Sequence, residues 1–122
     1  IHCLQYGVFK QKDYFNLLKL SKYLIYLSES ESQGLAMFEA WAHNVPTLVW
    51  DRGFMKYGKF MWRGNTSSPY LSESTGMTFK DFENFTSVFQ KFTGQKFFPK
   101  DWVENNATNK ISAKKYLDII NV

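Results

Sequence analysis

"KYLIYLSESESQGLAMFEAWAHNVPTLVW", residues 22–50, joins two short apolar segments through a polar loop and an apolar run of helical length. The segments 23–27 and 46–50 are apolar without alternation, which predicts strands that are covered on both faces, as in a parallel sheet. Between them a helix is predicted from about Gly34 to His43. Strand, helix and strand with short connections predict an open α/β sheet flanked by helices.

Both ends of this helix carry specific signals. Asn44 readily takes the left-handed conformation that ends a helix, and Pro46 prevents its continuation. Gly34 begins the helix, and without a Cβ atom it lets a ligand approach the backbone closely. The first amides of a helix have no partner within it, and the macrodipole favours an anion there. We therefore predict that the amides of Gly34 and Leu35 meet a phosphate.

The rest of the chain is predicted to add elements around this unit. Residues 1–7 are predicted as a strand, Asp13 as the cap of a helix, 76–79 as a strand, and further helices begin near Asp81, Pro99 and Asn109. Apolar residues at helical spacing are predicted to face the core: Tyr14, Leu17, Leu18, Phe82, Phe85, Val88, Phe89, Phe92, Ala113, Tyr116, Leu117 and Ile120. Residues 51–76 are too long for an ordinary connection and are predicted to be a functional loop or to hold irregular structure.

Composition and charge bound the classes of protein. The 122 residues include 12 Phe, 7 Tyr and 4 Trp, enough for one domain with a core and too apolar for disorder. A single cysteine, Cys3, excludes an internal disulfide and a zinc site, which favours a reducing, cytoplasmic compartment. The net charge of +4 comes from scattered lysines. It indicates either a solvated surface or attraction to phosphate-bearing ligands or to an anionic membrane surface; no basic run interleaved with aromatics indicates nucleic acid.

Two carboxylates flank the predicted phosphate position. Leu35, Phe38 and Ala42 are predicted to face the core, which places Glu39 about 100° around the helix from Phe38, where its side chain reaches back over the first turn. A carboxylate is suited to binding two neighbouring hydroxyls, such as those of a ribose. Glu31 precedes the helix and is placed for hydroxyls beyond the phosphate. The order of hydroxyls, diphosphate and hydroxyls is that of a nucleotide-sugar.

An alternative explains the same two residues without a ligand. Glu31 and Glu39 lie near a helix N-terminus, where negative charge is favourable in any protein. By spacing alone the two interpretations are equally supported.

The segment "ESQGLAMFEAWAHNVPTLVW" resembles the E-x7-E region of retaining glycosyltransferases with the GT-B fold, of the glycosyltransferase family 4 (group 1) type. That pattern reads roughly E-[SG]-x-G-L-x-x-x-E-A-x-A-x-G-V-P. The residues that fit it are Glu31, Gly34, Leu35, Glu39, Ala40, Ala42, Val45 and Pro46. "YGVFKQKDYFNLLKLSKYLIYLS" and "NNATNKISAKKYLDII" also resemble the elements before the motif and the terminal helix of that family, so the resemblance covers most of the chain.

The resemblance implies a donor site and its residue roles. Glu39 would bind the ribose of a nucleoside diphosphate sugar, the Gly34 and Leu35 amides would hold phosphate, and Glu31 would act as the catalytic-site residue on the transferred sugar or its phosphate end. Ser32 and Gln33 would add hydrogen bonds, although ordinary loop polarity also explains them. The donor is a substrate, and members of this type need no metal or other cofactor.

The resemblance also implies what lies outside residues 1–122. These residues would be a single, partial Rossmann-like domain, the later part of the C-terminal domain of a hexosyltransferase of glycan biosynthesis, inactive by itself. The family's Arg/Lys diphosphate grip and its N-terminal acceptor domain, with a catalytic-site histidine, would lie elsewhere. The acceptor (glycan, lipid or small molecule) is left open. Asn44 departs from the family pattern, which has glycine there.

Two other functions fit the same residues. One is a non-catalytic Rossmann-like nucleotide-binding or interaction module, and the other is a nucleotide-sugar epimerase of GT-B architecture. Asp51 and Arg52, which follow the second buried strand, are either loop residues or neighbours of a substrate. Trp62 and Arg63 are either positioned to stack on a sugar or anchor the long loop.

Overall fold

A computed structural model describes residues 1–121. In this range the chain forms five α-helices and five short β-strands, in the order α1 Gln11–Leu18, β1 Leu24–Leu27, α2 Leu35–Ala42, β2 Thr47–Trp50, β3 Phe54–Tyr57, β4 Phe60–Arg63, β5 Gly76–Phe79, α3 Phe82–Gly94, α4 Pro99–Asn106 and α5 Asn109–Ile120. None of these helices combines the length and the apolar character that crossing a membrane requires.

Three strands form the parallel sheet that the sequence predicts. Their order is β1–β2–β5, with Thr47 paired to Leu24 on one side and to Gly76 on the other. Helices cover this sheet, so the predicted α/β class and Rossmann-like open sheet are confirmed. Because the strands are parallel, their carboxyl ends share one edge, where open α/β sheets bind ligands. That edge lies beyond Leu27, Trp50 and Phe79.

Strand β2 lies at the centre of the core. Leu48 packs with Phe79 and Phe92, which belong to β5 and α3, whereas Val49 packs on the opposite face with residues of α2. Both side chains are fully buried, which confirms the prediction that this strand is covered on both faces. A third cluster joins α1 to α2 and the start of β2 through Tyr14, Leu18, Ala40 and Val45.

Strand β1 belongs to the parallel sheet as predicted, but the prediction that both its faces are covered was wrong, as was the strand predicted at residues 1–7. Along β1, half-buried and exposed residues alternate, and Leu27 is 68% exposed. The reason is that β1 is an edge strand of which only one face is covered. Residues 1–7, predicted as a strand, contain no strand pairing and lead into a turn at residues 6–8.

Several helix predictions are confirmed, including the apolar face of α3 at Phe85, Phe89 and Phe92, whereas the predicted burial of Phe82 and of the α5 stripe is wrong. Asp81 caps α3 by accepting from the Asn84 amide at 2.9 Å, and Pro99 occupies the first turn of α4. Helix α1, however, begins before Asp13, which lies in its first turn and does not cap it. Phe82 is exposed, and α5 buries no residue, so its stripe of Ala113, Tyr116, Leu117 and Ile120 faces solvent. In residues 1–121 no further layer covers that face.

Residues 51–75 contain the antiparallel β3–β4 hairpin and, after it, a segment at residues 64–75 that leads back to β5 and is called the return segment below. Strands β3 and β4 pair with Phe54 opposite Arg63 and Tyr57 opposite Phe60, and they are not part of the parallel sheet. The return segment is fixed to the end of β2, where the Ser67 hydroxyl donates to the Trp50 carbonyl at 2.5 Å. The hairpin therefore stands at the carboxyl edge of the sheet.

Candidate functional site

Helix α2 begins at a residue whose conformation and surroundings favour glycine. Gly34 is its N-cap, with φ of 70° and ψ of 52°, a left-handed conformation that costs other residues about 1–2 kcal/mol. A Cβ atom at this position would lie 2.3 Å from the Met37 methyl carbon. The prediction that the helix starts at Gly34 is confirmed: Gly34 is the N-cap, and Leu35 is the first helical residue.

The first amides of α2 remain without acceptors. The earliest backbone bonds run from Met37 and Phe38 to the Gly34 carbonyl, at 2.9 and 3.3 Å, and glycine offers no capping side chain. Within residues 1–121, the N–H groups of Gly34, Leu35 and Ala36 donate no hydrogen bond. Three free donors at a helix start make a position suited to an oxyanion.

The face of α2 that packs into the core differs from the predicted one. Its buried residues are Met37, Ala40 and Trp41, whereas Leu35 is 67% exposed and Ala42 is also exposed. The helix is nearly apolar all round, so its sequence pattern does not single out one face. Phe38 is half-buried, between the two faces.

Glu39 lies on the side of α2 that faces α1. Its half-buried carboxylate accepts a hydrogen bond from Gln11 Nε2 at 2.6 Å. The neighbouring Tyr14 hydroxyl donates to the Ala36 carbonyl at 2.6 Å. Burial, and secondarily the charge of Glu39, raises the pKa of Tyr14 well above its usual range. Tyr14 is therefore held as a neutral donor beside the carboxylate.

Glu31 is fixed by the end of β1 and by the return segment. The Tyr26 hydroxyl donates to Glu31 Oε1, and the Glu31 amide donates to the Thr66 carbonyl at 3.4 Å. Burial first, then the hydrogen bond and the charge of Glu31, and also the charge of Tyr14, raise the pKa of Tyr26 strongly. Tyr26 thus stands beside Glu31 as Tyr14 stands beside Glu39.

Ser32 and Gln33 are exposed, immediately before Gly34. Gln33 and Leu35 line a cavity of about 490 Å³ whose other walls include the aromatic residues Phe38, Tyr70 and Trp102. This cavity opens beside the free amides. Aromatic faces of this kind pack against sugar rings and nucleobases.

The residues after β2 have definite partners. Asp51 accepts hydrogen bonds from the Gly53 amide at 2.9 Å and from the Thr66 hydroxyl. Asp51 therefore acts as a loop residue, the first of the two roles considered for it above. Arg52 lies 3.4 Å from Glu29 and between two aromatic rings. On the hairpin, Trp62 is half exposed and Arg63 is exposed.

Three residues at the site escaped the sequence-based interpretation: Gln11, Tyr14 and Tyr26. Both tyrosines fall at positions that the apolar patterns of α1 and β1 assign to packing, and that assignment is also right, because their rings pack in the core clusters. Their hydroxyl partners come from other elements. The sequence contained one local signal for these residues: Tyr26 lies at the end of a predicted strand that leads directly into the acidic loop with Glu29 and Glu31.

Comparisons with protein-family models, with curated proteins and with solved structures found no match to this chain.

Proposed function

We propose that this chain binds a nucleoside diphosphate sugar and forms part of the donor domain of a retaining glycosyltransferase. The observation that carries the proposal is the free amide end of α2, where three N–H groups without acceptors follow the left-handed Gly34. Glu31 precedes Gly34 by three residues and Glu39 lies about one turn into the same helix; each accepts a hydrogen bond from a neighbouring side chain, and neither lines the cavity beside the amides. The helix lies at the edge of the sheet where α/β proteins bind their ligands.

The proposed roles follow from the chemistry of these groups. The Gly34 and Leu35 amides would bind the diphosphate and offset the charge that develops as the sugar–phosphate bond breaks. Glu39 would accept from the ribose hydroxyls, with Gln11 exchanging its hydrogen bond for the ligand. Glu31 would contact the transferred sugar, with Ser32 and Gln33 at the same end.

Nuclear magnetic resonance titration tests the donor site. We expect UDP-glucose or GDP-mannose to shift the amide resonances of residues 33–36, and we expect Glu39→Gln to weaken that binding by about tenfold, the effect of losing one hydrogen-bonded charge. Glu73→Gln is the matched control, because Glu73 is an exposed acid before β5, at the opposite edge of the sheet. Shifts at other residues, or equal affinity in Glu39→Gln, Glu31→Gln and the unmodified chain, would contradict the proposal.

Product analysis separates the proposed transferase from its rivals. The complete protein that contains this chain is incubated with a radiolabelled nucleotide-sugar, with and without candidate acceptors. A transferase yields labelled acceptor, an epimerase yields a changed nucleotide-sugar without one, and a binding module yields neither.

A further inference from the structure

A second cavity lies at the start of the β3–β4 hairpin, separate from the α2 site. Its volume is about 360 Å³, and its walls are Arg52, Gly53, Phe54, Met61 and Arg63. Two of these five residues are arginines. The proposed function assigns them no role.

Arg52 is held in place by its neighbours. Its guanidinium carbon lies 4.9 Å from the centre of a Trp50 ring and 4.8 Å from the centre of the Phe54 ring. The guanidinium group therefore lies between Trp50, at the end of β2, and Phe54, at the start of the hairpin. Its side chain retains 23% exposure. Stacking of this kind fixes the plane of an arginine and leaves its N–H groups directed in the plane, as bidentate recognition of an oxyanion requires.

The hydrogen-bonding capacity of Arg52 is incompletely used. Nη2 lies 3.4 Å from Glu29 Oε2, close enough for an ion pair but without hydrogen-bond geometry, and both Nε and Nη2 are buried with no acceptor among the described residues. Buried donors on a charged group are costly when unpaired. The third nitrogen, Nη1, is not buried and makes no hydrogen bond within residues 1–121, so it is the donor that an incoming oxyanion would meet first.

Arg63 adds a second cation to the same cavity. It pairs in register with Phe54, so both side chains lie on one face of the hairpin, together with Met61 and Lys56. No acidic side chain pairs with Arg63 in the described part of the chain. Of the nearby acids, Glu29 pairs with Arg52 and Asp51 is occupied by the Gly53 amide and the Thr66 hydroxyl.

The residues around this cavity also carry positive charge. Residues 52–72 contain four cations and no Asp or Glu. Such a field attracts anions over about a Debye length, roughly 10 Å at 0.1 M salt. Phe54 and Met61 add apolar walls, which suit the organic part of a ligand rather than an inorganic ion alone.

We propose that the cavity between Arg52 and Arg63 binds the phosphate group of an organic phosphate. A phosphate has enough acceptor oxygens for two guanidinium groups, and its second negative charge favours a site with two or more cations. The carrier of the phosphate is either a small soluble compound or a lipid headgroup, which present the same chemistry to the arginines. This inference does not depend on the donor site at α2.

The test uses the whole chain and two probes. Glycerol 3-phosphate is titrated while the Nε–H resonances of the arginines are followed, and vesicles of phosphatidylglycerol in phosphatidylcholine are compared with vesicles of phosphatidylcholine alone in a sedimentation assay. Arg63→Gln is the principal variant, because Arg63 is exposed and forms no ion pair in the described residues, so we expect its loss to leave the fold intact. Lys59→Gln is the matched control, which removes one charge from the hairpin tip outside the cavity.

We expect Arg63→Gln to weaken phosphate binding about tenfold or more and Lys59→Gln to weaken it less than twofold. Binding of glycerol 3-phosphate with this pattern supports a soluble ligand, and the same pattern with the anionic vesicles alone supports a lipid headgroup. Binding of neither probe, or equal weakening by the two variants, would overturn the proposal. Glu39→Gln should leave this binding unchanged, so its outcome is independent of that for the nucleotide-sugar.

Discussion

The α2–β2 segment and the β3–β4 hairpin follow each other in the chain and are both rich in apolar and aromatic residues, but the protein uses them in opposite ways. In α2–β2, Trp41, Leu48 and Val49 are fully buried. In the hairpin, Tyr57 is 77% exposed and Trp62 is 48% exposed. Apolar composition thus leads to burial only where a second layer is available. A two-stranded ribbon by itself is marginally stable, so the hairpin depends on the rest of the fold.

This difference separates the scaffold from the surfaces available for ligands. Burial of the α2–β2 segment holds α2 in place, so the free amides at the start of α2 and the Glu39 carboxylate have fixed positions. The hairpin contributes little core and instead brings Arg63 and Phe54 next to Arg52. We therefore expect changes in the first region to act on stability and changes in the second to act mainly on binding.

Replacing Trp41 in the α2–β2 segment should cause the largest loss of stability. Trp41 is completely buried, packs edge to face against Trp102 with ring centres 5.3 Å apart, and donates to Thr47 Oγ1 at 3.1 Å. Trp41→Ala should lower the free energy of unfolding by about 3–5 kcal/mol, measured by urea denaturation. Trp62→Ala on the hairpin is the control and should cost less than about 1 kcal/mol. Similar losses in both variants would show that the hairpin belongs to the core.

A methyl group at Gly76 tests the close contact between β2 and β5. A Cβ atom there would lie 1.9 Å from the Thr47 carbonyl oxygen, so Gly76→Ala must push the edge strand β5 away from the central strand β2, at a cost of about 3 kcal/mol. Gly58→Ala at the hairpin turn meets no atom within 4 Å and carries only the strain of its left-handed φ of 57°, about 1 kcal/mol. Thermal unfolding of both variants measures the contrast, and a larger loss for Gly58→Ala would contradict it.

The smallest expected effect concerns the tyrosine hydroxyl beside Glu31. Tyr26→Phe removes its hydrogen bond to a charged acceptor and should cost about 1–2 kcal/mol at neutral pH. Because the pKa of Tyr26 is raised in the folded protein, the native state retains a proton that the unfolded chain releases above about pH 10. The associated stability is complete below that pH and decreases as the pH rises further.

Unfolding free energies measured between pH 8 and 11 check this prediction. The alkaline decrease should be less steep in Tyr26→Phe than in the unmodified chain. Tyr57→Phe on the hairpin is the matched control, since its exposed hydroxyl donates no hydrogen bond in residues 1–121. Parallel but offset curves would contradict the predicted pH dependence alone, and superimposed curves for Tyr26→Phe and the unmodified chain would show that the Tyr26–Glu31 contact does not influence stability.

Much of the α/β unit could be predicted because its signals are local. The helix start at Gly34 and its end at Asn44, whose φ is 61°, depend on conformations of single residues. The cap at Asp81 depends on residues three positions apart. The prediction that β2 is buried also holds, because this strand has a neighbour on each side.

Predictions that needed a second element were less successful. The pattern of α2 did not identify Met37 and Trp41 as its buried face, because the residues around the helix are nearly all apolar. The exposure of β1 and α5 depends on which layers are present, and short apolar patterns carry no information about that.

The sequence by itself determined where α2 begins and ends and that residues 47–50 form a buried strand, because a helix cap and a continuous apolar run depend on residues close together in the chain. The tertiary structure alone decided that Tyr14 and Tyr26 stand beside Glu39 and Glu31, and that Arg52 lies between Trp50 and Phe54 with Arg63 beside it. These arrangements include contacts between residues far apart in the chain: Arg52 and Glu29 are 23 positions apart, Gln11 and Glu39 are 28 positions apart, and the Glu31 amide donates to the carbonyl of Thr66, 35 positions away. Packing, rather than local preference, brings such groups together.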